Sequence, residues 1–341
     1  MASVLKCAIA IAVVASASMS YGTGALPGLT GSAGTVNPLV TRDLSGSNGS
    51  CGECHNAFPG GGPTPLRVWV DVGRRALQPN EATAMTVRAT GGQVTLPPLV
   101  DVGGFCMDCT GGFFVPGANS QIDPTGMAIT HRLASQSNGR TWGFGFTAPP
   151  TPGRVQAFCV VNTGDGDGQP TADVWGFHGF DATSPRSTPI ELFVLAPGVV
   201  HLGDGCADGY GNRAVLGAAQ TPAVGNGAFA LELHGAAPGS LAFFLVAINP
   251  PGFQAQDLSP LGIQGCSAFV ANPITNVVAT GPGQASISEG SVMLAWPIPA
   301  VATLRGVTVQ TQACYLDQAA VAIAGRSLPL TFSNALSLTV Q

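Results

Sequence analysis

The stretch Thr141-Trp-Gly-Phe-Gly-Phe-Thr147 alternates large aromatic residues with small ones. Successive side chains of a β-strand point to opposite faces, so this order produces one bulky face and one flat face. The strand is followed by Ala148-Pro-Pro-Thr-Pro-Gly153, which is typical of a turn. The pattern therefore predicts a β-strand that enters a sheet with one buried face.

Segments of similar character lie on both sides of this stretch. Those of the first half are Leu66–Val72, Ala84–Thr90, Arg154–Val161 and Asp173–Phe180. Those of the second half are Glu191–Leu195, Phe229–Leu233, Leu241–Ile248, Ser291–Trp296, Arg305–Thr311 and Leu336–Val340. Short strands at this spacing, separated by Gly, Pro and Asn, predict antiparallel sandwiches. We predict an all-β chain with two antiparallel, Ig-like β-sandwich domains after a signal peptide.

The composition supports this fold class and narrows the function. Only 9% of the 341 residues are charged, whereas Gly occurs 47 times and Pro 27 times. Long exposed helices need many charged residues on their solvent face, so they are disfavoured. The net charge is −5 with 13 Lys and Arg in all, and no basic run occurs. We therefore expect no nucleic-acid partner and no extended basic patch for an anionic membrane.

The N-terminus has the features of a secretory signal peptide. Lys6 precedes the apolar run Cys7–Val14, and small residues follow with a cleavage site expected near Ala17. The run is too short to span a bilayer, and no later segment is long and apolar enough. We predict an exported protein of the periplasm, cell surface or extracellular space, without a transmembrane segment.

These features give a provisional domain plan. It comprises a signal peptide (1–20), a linker (21–47), a first sandwich (48–182), a second linker (183–202) and a second sandwich (203–341). The Ser/Thr/Pro-rich stretch Ala182–Pro189 marks the change from the first sandwich to the second linker.

The first predicted sandwich opens with a Cys-x-x-Cys-His cluster formed by Cys51, Cys54 and His55. In haem c attachment, two such cysteines form thioethers to the porphyrin and the histidine is the proximal iron ligand. Export fits this chemistry, because haem c is attached outside the cytoplasm. A local disulfide, a redox dithiol and a zinc site with one further ligand are the alternatives. The helix-breaking stretch Asn56–Gly62 weakens the redox dithiol, which needs a helix after its first cysteine.

A haem iron at this cluster would take a second axial ligand. Histidine imidazole and methionine thioether are the usual donors. The candidates in the first half are His131, His178, Met107 and Met127.

Several motifs of the first half occur together in a known family. They are Ser47–His55, Gly103-Gly104-Phe105, Thr130-His131, Trp142–Pro149 and Asn162–Gly168. In this order they resemble the bacterial secreted choice-of-anchor V family, which is related to reeler-like β-sandwiches. The resemblance implies one c-type haem site, with attachment at Cys51 and Cys54, proximal ligand His55 and a recurring Thr-His pair that makes His131 the distal candidate.

The second half resembles a C-terminal β-sandwich module common in large bacterial secreted proteins. The matching pieces are Gly203–Cys206, Gly239–Ile248, Leu261–Cys266, Trp296–Pro299 and Leu330–Thr339. The resemblance implies a Cys206–Cys266 disulfide, worth about 3–4 kcal/mol for a loop of roughly 60 residues on the chain-entropy model.

The other cysteines are Cys106, Cys109, Cys159 and Cys314, whose partners the sequence leaves unassigned. Residues three apart in an extended strand lie ~10 Å from each other, so Cys106 and Cys109 can pair only across a sharp turn. Cys159 and Cys314 could bridge the two domains or stay free.

Other chemistry has less support. Asp165 and Asp167 alternate with glycines as in part of a calcium loop, but no closing glutamate follows, so a turn is favoured over bound calcium. No nucleophile elbow or His-Glu-x-x-His motif occurs, and whether the chain is an enzyme stays open, with a non-catalytic role favoured. The leading hypothesis is an exported haem c protein that transfers electrons to a redox partner or senses redox state. The alternative is a secreted structural or adhesion protein of the cell surface, in which Cys51–Cys54 is a disulfide or a vestigial motif.

Overall fold

A computed structural model of the chain describes residues 64–93, 102–122, 128–132, 140–165, 173–179, 187–281 and 290–341. The regular structure of these residues is almost entirely β, which confirms the predicted fold class. The predicted signal peptide and first linker lie outside the described residues. None of the helices within these ranges is long and apolar enough to cross a membrane.

The first half forms two sheets that face each other. Its strands are β1 (Thr64–Val72), β2 (Ala76–Leu77), β3 (Ala82–Gly92), β4 (Gly103–Cys109), β5 (Phe113–Val115), β6 (Ser120–Ile122), β7 (Ala128–His131), β8 (Thr141–Thr147), β9 (Gly153–Thr163), β10 (Val174–Phe177) and β11 (Ile190–Val194). One sheet has the order β1-β3-β8-β5, and the other has the order β2-β11-β9-β4-β7-β6 with β10 on β9. All pairings are antiparallel except β2 with β11, which is parallel.

The aromatic face of β8 fills the space between these sheets. Trp142, Phe144 and Phe146 are buried, whereas the intervening Gly143 is exposed. Phe105 of β4 comes from the opposite sheet, and its ring centroid lies 5.2 Å from that of Trp142 and 5.5 Å from that of Phe144. Such aromatic pairs add about 0.5–1.5 kcal/mol each beyond the burial of their area. The alternation in the sequence thus places a cross-sheet aromatic cluster at the centre of the first core.

The second half is a five-stranded sheet packed on a three-stranded sheet. Its strands are β12 (Val199–Gly203), β13 (Val215–Gly217), β14 (Ala230–Ala236), β15 (Leu241–Ala247), β16 (Gln256–Asp257), β17 (Ser267–Ala268), β18 (Ile274–Ala279), β19 (Gly290–Ala295), β20 (Thr308–Leu316) and β21 (Leu330–Thr339), and its α-helix is α1 (Gln318–Ala322). The larger sheet has the order β12-β21-β20-β15-β18, the smaller has β13-β14-β19, and β16 and β17 form a separate pair. Leu231, Phe244, Tyr315 and Leu336 are among the residues buried between the two sheets.

The segment predicted as the second linker contains regular structure. Residues 183–202 include β11 and all of β12 except Gly203. Although the segment Glu191–Leu195 was grouped with the second half, β11 pairs with β9 and β2 in the first sandwich. A strand buried on both faces has no polar–apolar alternation, so its sequence does not reveal which sheet it joins.

Strand β11 contributes side chains to both hydrophobic cores. Ile190, Leu192 and Val194 lie in the core of the first sandwich. Phe193 of β11 and Leu195, which follows the strand, lie in the core of the second. The two sandwiches are therefore fused along β11 and its neighbour β2, whose two residues are also divided between the cores.

Glu191 is the charged residue of this strand, and only 1% of its surface is exposed. Its carboxylate accepts a bidentate pair of hydrogen bonds from the Arg154 guanidinium, and Gln156 Nε2 donates a third at 3.0 Å. Paired, charge-assisted bonds of this kind compensate for burying the charge. Removal of Arg154 would leave a buried carboxylate without its counter-ion.

Polar contacts also cross the junction beside β11. Arg75 Nη1 donates to the backbone oxygen of Arg213 at 2.8 Å, and Gln78 Nε2 donates to that of Val199 at 2.9 Å. Burial, together with the nearby Arg213, lowers the pKa of Arg75 to about 10. Arg75 remains charged at neutral pH, so its hydrogen bond to Arg213 O is charge-assisted. The Arg75 and Gln78 bonds together join the two halves.

Phe193→Ala tests whether the two sandwiches unfold as one unit. A Cβ built on Gly217 would lie 2.1 Å from the Phe193 ring, which shows how closely the ring fills the second core. We expect the substitution to destabilise the chain by about 3–5 kcal/mol and to split its thermal transition in calorimetry into two. Leu192→Ala, which opens the first core only, is the matched control and should keep a single transition. A single, unshifted transition in the Phe193 variant would contradict the shared-core interpretation.

Candidate functional site

The predicted haem-attachment residues Cys51, Cys54 and His55 lie outside the described residues, as does Met127. The predicted distal ligand His131 is described, and it is the last residue of β7 with 5% of its surface exposed. β7 pairs with β4 in a register that sets Thr130 opposite Cys106. The His131 side chain consequently lies beside Gly104 and Phe105 at the start of β4.

The Gly-Gly-Phe and Thr-His motifs contact each other directly. Phe105 N lies 3.2 Å from His131 Nδ1 in donor geometry, and Thr130 Oγ1 donates to Phe105 O at 2.8 Å. A Cβ on Gly104 would lie 2.2 Å from His131 Cε1. Only a glycine leaves room for the imidazole here, so the two motifs form one packing unit.

The second ring nitrogen of His131, Nε2, is buried and has no hydrogen-bond partner among the described residues. Burial lowers the pKa of His131 below its ordinary value, against a smaller opposing effect of its hydrogen bond to the Phe105 backbone. The ring is therefore neutral at physiological pH. Nδ1 is also 3.3 Å from Phe105 O. In the tautomer that donates this bond, the Nε2 lone pair is free to bind a metal; in the other, Nε2–H is an available donor.

The other described candidates for an axial ligand are already engaged. His178 is buried, and its Nδ1 lies 2.8 Å from Thr188 O. Burial, with an added contribution from Arg75, lowers the pKa of His178 to about 4. Met107 is fully buried in the first core. His131 is therefore the described candidate whose donor atom is unpartnered.

The disulfide implied for the second half is present. Cys206 and Cys266 are bonded, with their Cα atoms 4.8 Å apart and a sequence separation of 60. Cys314 is a free thiol in the apolar cluster around this disulfide. Phe332 belongs to the same cluster, and its N–H donates to Cys206 Sγ at 3.3 Å. The disulfide thus anchors the segment before β17 to the outer face of the five-stranded sheet.

Of the two alternatives for Cys159 and Cys314, a bridge between the domains or free thiols, the structure has the free thiols. Cys159 is a free thiol in the first core, whereas Cys314 lies in the cluster around the disulfide of the second half. Burial raises the pKa of both thiols, to about 12 for Cys314, so neither is a reactive thiolate at neutral pH.

Cys106 and Cys109 are separated by the geometry of their strand. β4 runs through both residues without a sharp turn, so they do not bridge to each other. Burial raises the pKa of the free Cys109 thiol to about 12. Cys106 is buried with Ala128, Val160, Trp175 and Phe177 in a separate apolar cluster.

The calcium alternative gains no described ligand set. Asp167 lies outside the described residues, and Asp173 Oδ2 accepts a hydrogen bond from Asn162 Nδ2 at 3.2 Å. Within the described ranges, no group of three or more His, Cys, Asp or Glu side chains is placed to hold a metal ion. The Asp173 carboxylate lies close to Gly164, where an added Cβ would be 2.8 Å from Oδ1.

Sequence reasoning missed two buried charged groups that hold the fold. One is the Glu191–Arg154 pair; the other centres on Asp317, which is 2% exposed. Asp317 Oδ2 accepts bonds from Gly209 N at 2.8 Å and Thr331 Oγ1 at 2.9 Å, and its Oδ1 caps α1. In each case the signal in the sequence was a single acidic residue, Glu191 or Asp317, beside apolar residues in a chain with few charges.

The described part of the chain is thus an all-β protein of two fused sandwiches. It contains a buried histidine, His131, whose Nδ1 contacts the Phe105 backbone. No family model and no curated protein matches it. Among solved structures, the human F-spondin reeler domain is 15% identical over 39% of this chain and 91% of that chain, with a TM-score of 0.27. The adhesin InvE of Yersinia pseudotuberculosis is 14% identical over 80% of this chain and 58% of that chain, with a TM-score of 0.21.

Domains D2 and D3 of the pilin SpaD of Corynebacterium diphtheriae are also similar, at 12% identity over 74% of this chain and 82% of that chain, with a TM-score of 0.24. Scores of this size support no conclusion about function. The functional interpretation therefore depends on the residues of this chain.

Gly104→Ala tests the contact between the two motifs. The added methyl group would collide with the His131 ring, so we expect a loss of about 1–3 kcal/mol in the free energy of unfolding, measured by urea denaturation. Gly143→Ala is the matched control, because a Cβ there meets nothing within 4 Å, and it should leave stability unchanged or slightly higher. Equal stability of the two variants would mean that His131 does not occupy this position.

His178 makes a second prediction, on pH. Its folded-state pKa of about 4 is below the unfolded value near 6.5, so the unfolded chain binds the proton first as pH falls. Stability is complete above about pH 6.5 and falls towards pH 4, by roughly 3 kcal/mol from this residue. His178→Asn keeps a donor for Thr188 O and removes the titration, so its free energy of unfolding should change less between pH 7 and pH 4.5. An unchanged pH dependence in this variant would exclude His178 as the cause.

Proposed function

We propose that the chain is an exported structural protein of the cell surface, in which the two β-sandwiches act as one rigid unit. The observation that carries this proposal is the sharing of β11 between the two cores. A shared strand couples the unfolding of both sandwiches. That property suits a protein exposed to proteases and mechanical load outside the cell.

The disulfide supports the same compartment. Disulfides form and persist in oxidising environments and are rare in reducing ones. Closing a loop of about 60 residues between Cys206 and Cys266 stabilises a chain by about 4 kcal/mol on the chain-entropy model.

Localisation in the native cell and resistance to proteolysis test this proposal together. We expect the chain in the surface fraction of intact cells, with Cys206 and Cys266 oxidised and the folded part resistant to added trypsin. The double variant Cys206→Ser, Cys266→Ser should reach the same compartment and be degraded several times faster. A reduced chain retained in the cytoplasm would refute the proposal.

Haem c binding is a second candidate function, favoured by the unpartnered Nε2 of the buried His131. Cys51 and Cys54 would attach the group, and His55 and His131 would be its axial ligands. A bound haem would supply one-electron redox chemistry at its iron. On the protein side, His131 fits the role because its ring is neutral and held in place by the Phe105 backbone.

A mass spectrum distinguishes three states of the Cys51–His55 cluster: attached haem, a disulfide and a vestigial motif. In chain purified from its exported fraction, the peptide that spans Cys51–Phe58 gains the mass of haem if the group is attached. A disulfide subtracts two hydrogens, and a vestigial motif leaves the mass unchanged. If haem is present, His131→Ala should alter the low-spin absorption spectrum, whereas His178→Asn should not. An unaltered spectrum in the His131 variant would remove it as the distal ligand.

A further inference from the structure

We draw no further inference here: the strongest candidate, the side-chain cluster in which the buried Tyr315 hydroxyl lies near the carboxylates of Asp208 and Asp317 at the end of β20, carries none, because both carboxylates are already bound by backbone N–H groups of the same sandwich and so form part of its structural network.

Discussion

The packing of one strand into two cores is the constraint on which the rest of this structure depends. β11 sends Leu192 into the first core and Phe193 into the second. Because its neighbours β9 and β2 belong to the first sandwich, the second sandwich is built on a surface that the first supplies. This arrangement buries the charged Glu191. Its burial is compensated because the Arg154 guanidinium donates two hydrogen bonds to its carboxylate. Fold and electrostatics at the junction are therefore inseparable.

Most of the first sandwich could be predicted from the sequence, but little of the junction between the two sandwiches could. TWGFGFT predicts its strand because one face is buried and the other is not, so the side-chain period of two survives in the residue types. β11 is buried on both faces. Its alternate side chains enter two different apolar cores, so no run of polar residues marks a solvent-facing side. Only Glu191 interrupts this apolar pattern, and a single acid does not reveal an arginine 37 residues away. The sequence did not show which cysteines are paired and which are free. Only the pairing of Cys206 with Cys266 was implied, by a resemblance.

The candidate site shows how two motifs acquire a physical meaning once they are in contact. Gly104 is required where the His131 ring packs against the strand, and the Phe105 backbone contacts the ring at Nδ1. Positioning alone accounts for Nδ1, and it leaves Nε2 buried without a partner among the described residues. An unsatisfied buried polar group costs about 1–3 kcal/mol, which a hydrogen-bond partner or a ligand at Nε2 would offset.

Scarcity of charge gives the few buried charges a structural role. The chain has 13 Lys and Arg and 18 Asp and Glu among 341 residues. Glu191, Asp317 and Arg326 are all buried, where they join segments that are distant in sequence. Because hydrogen bonds hold each of them, their burial costs less than that of isolated charges. The contacts that compensate these charges therefore help to fix the junction and the second sandwich in one arrangement.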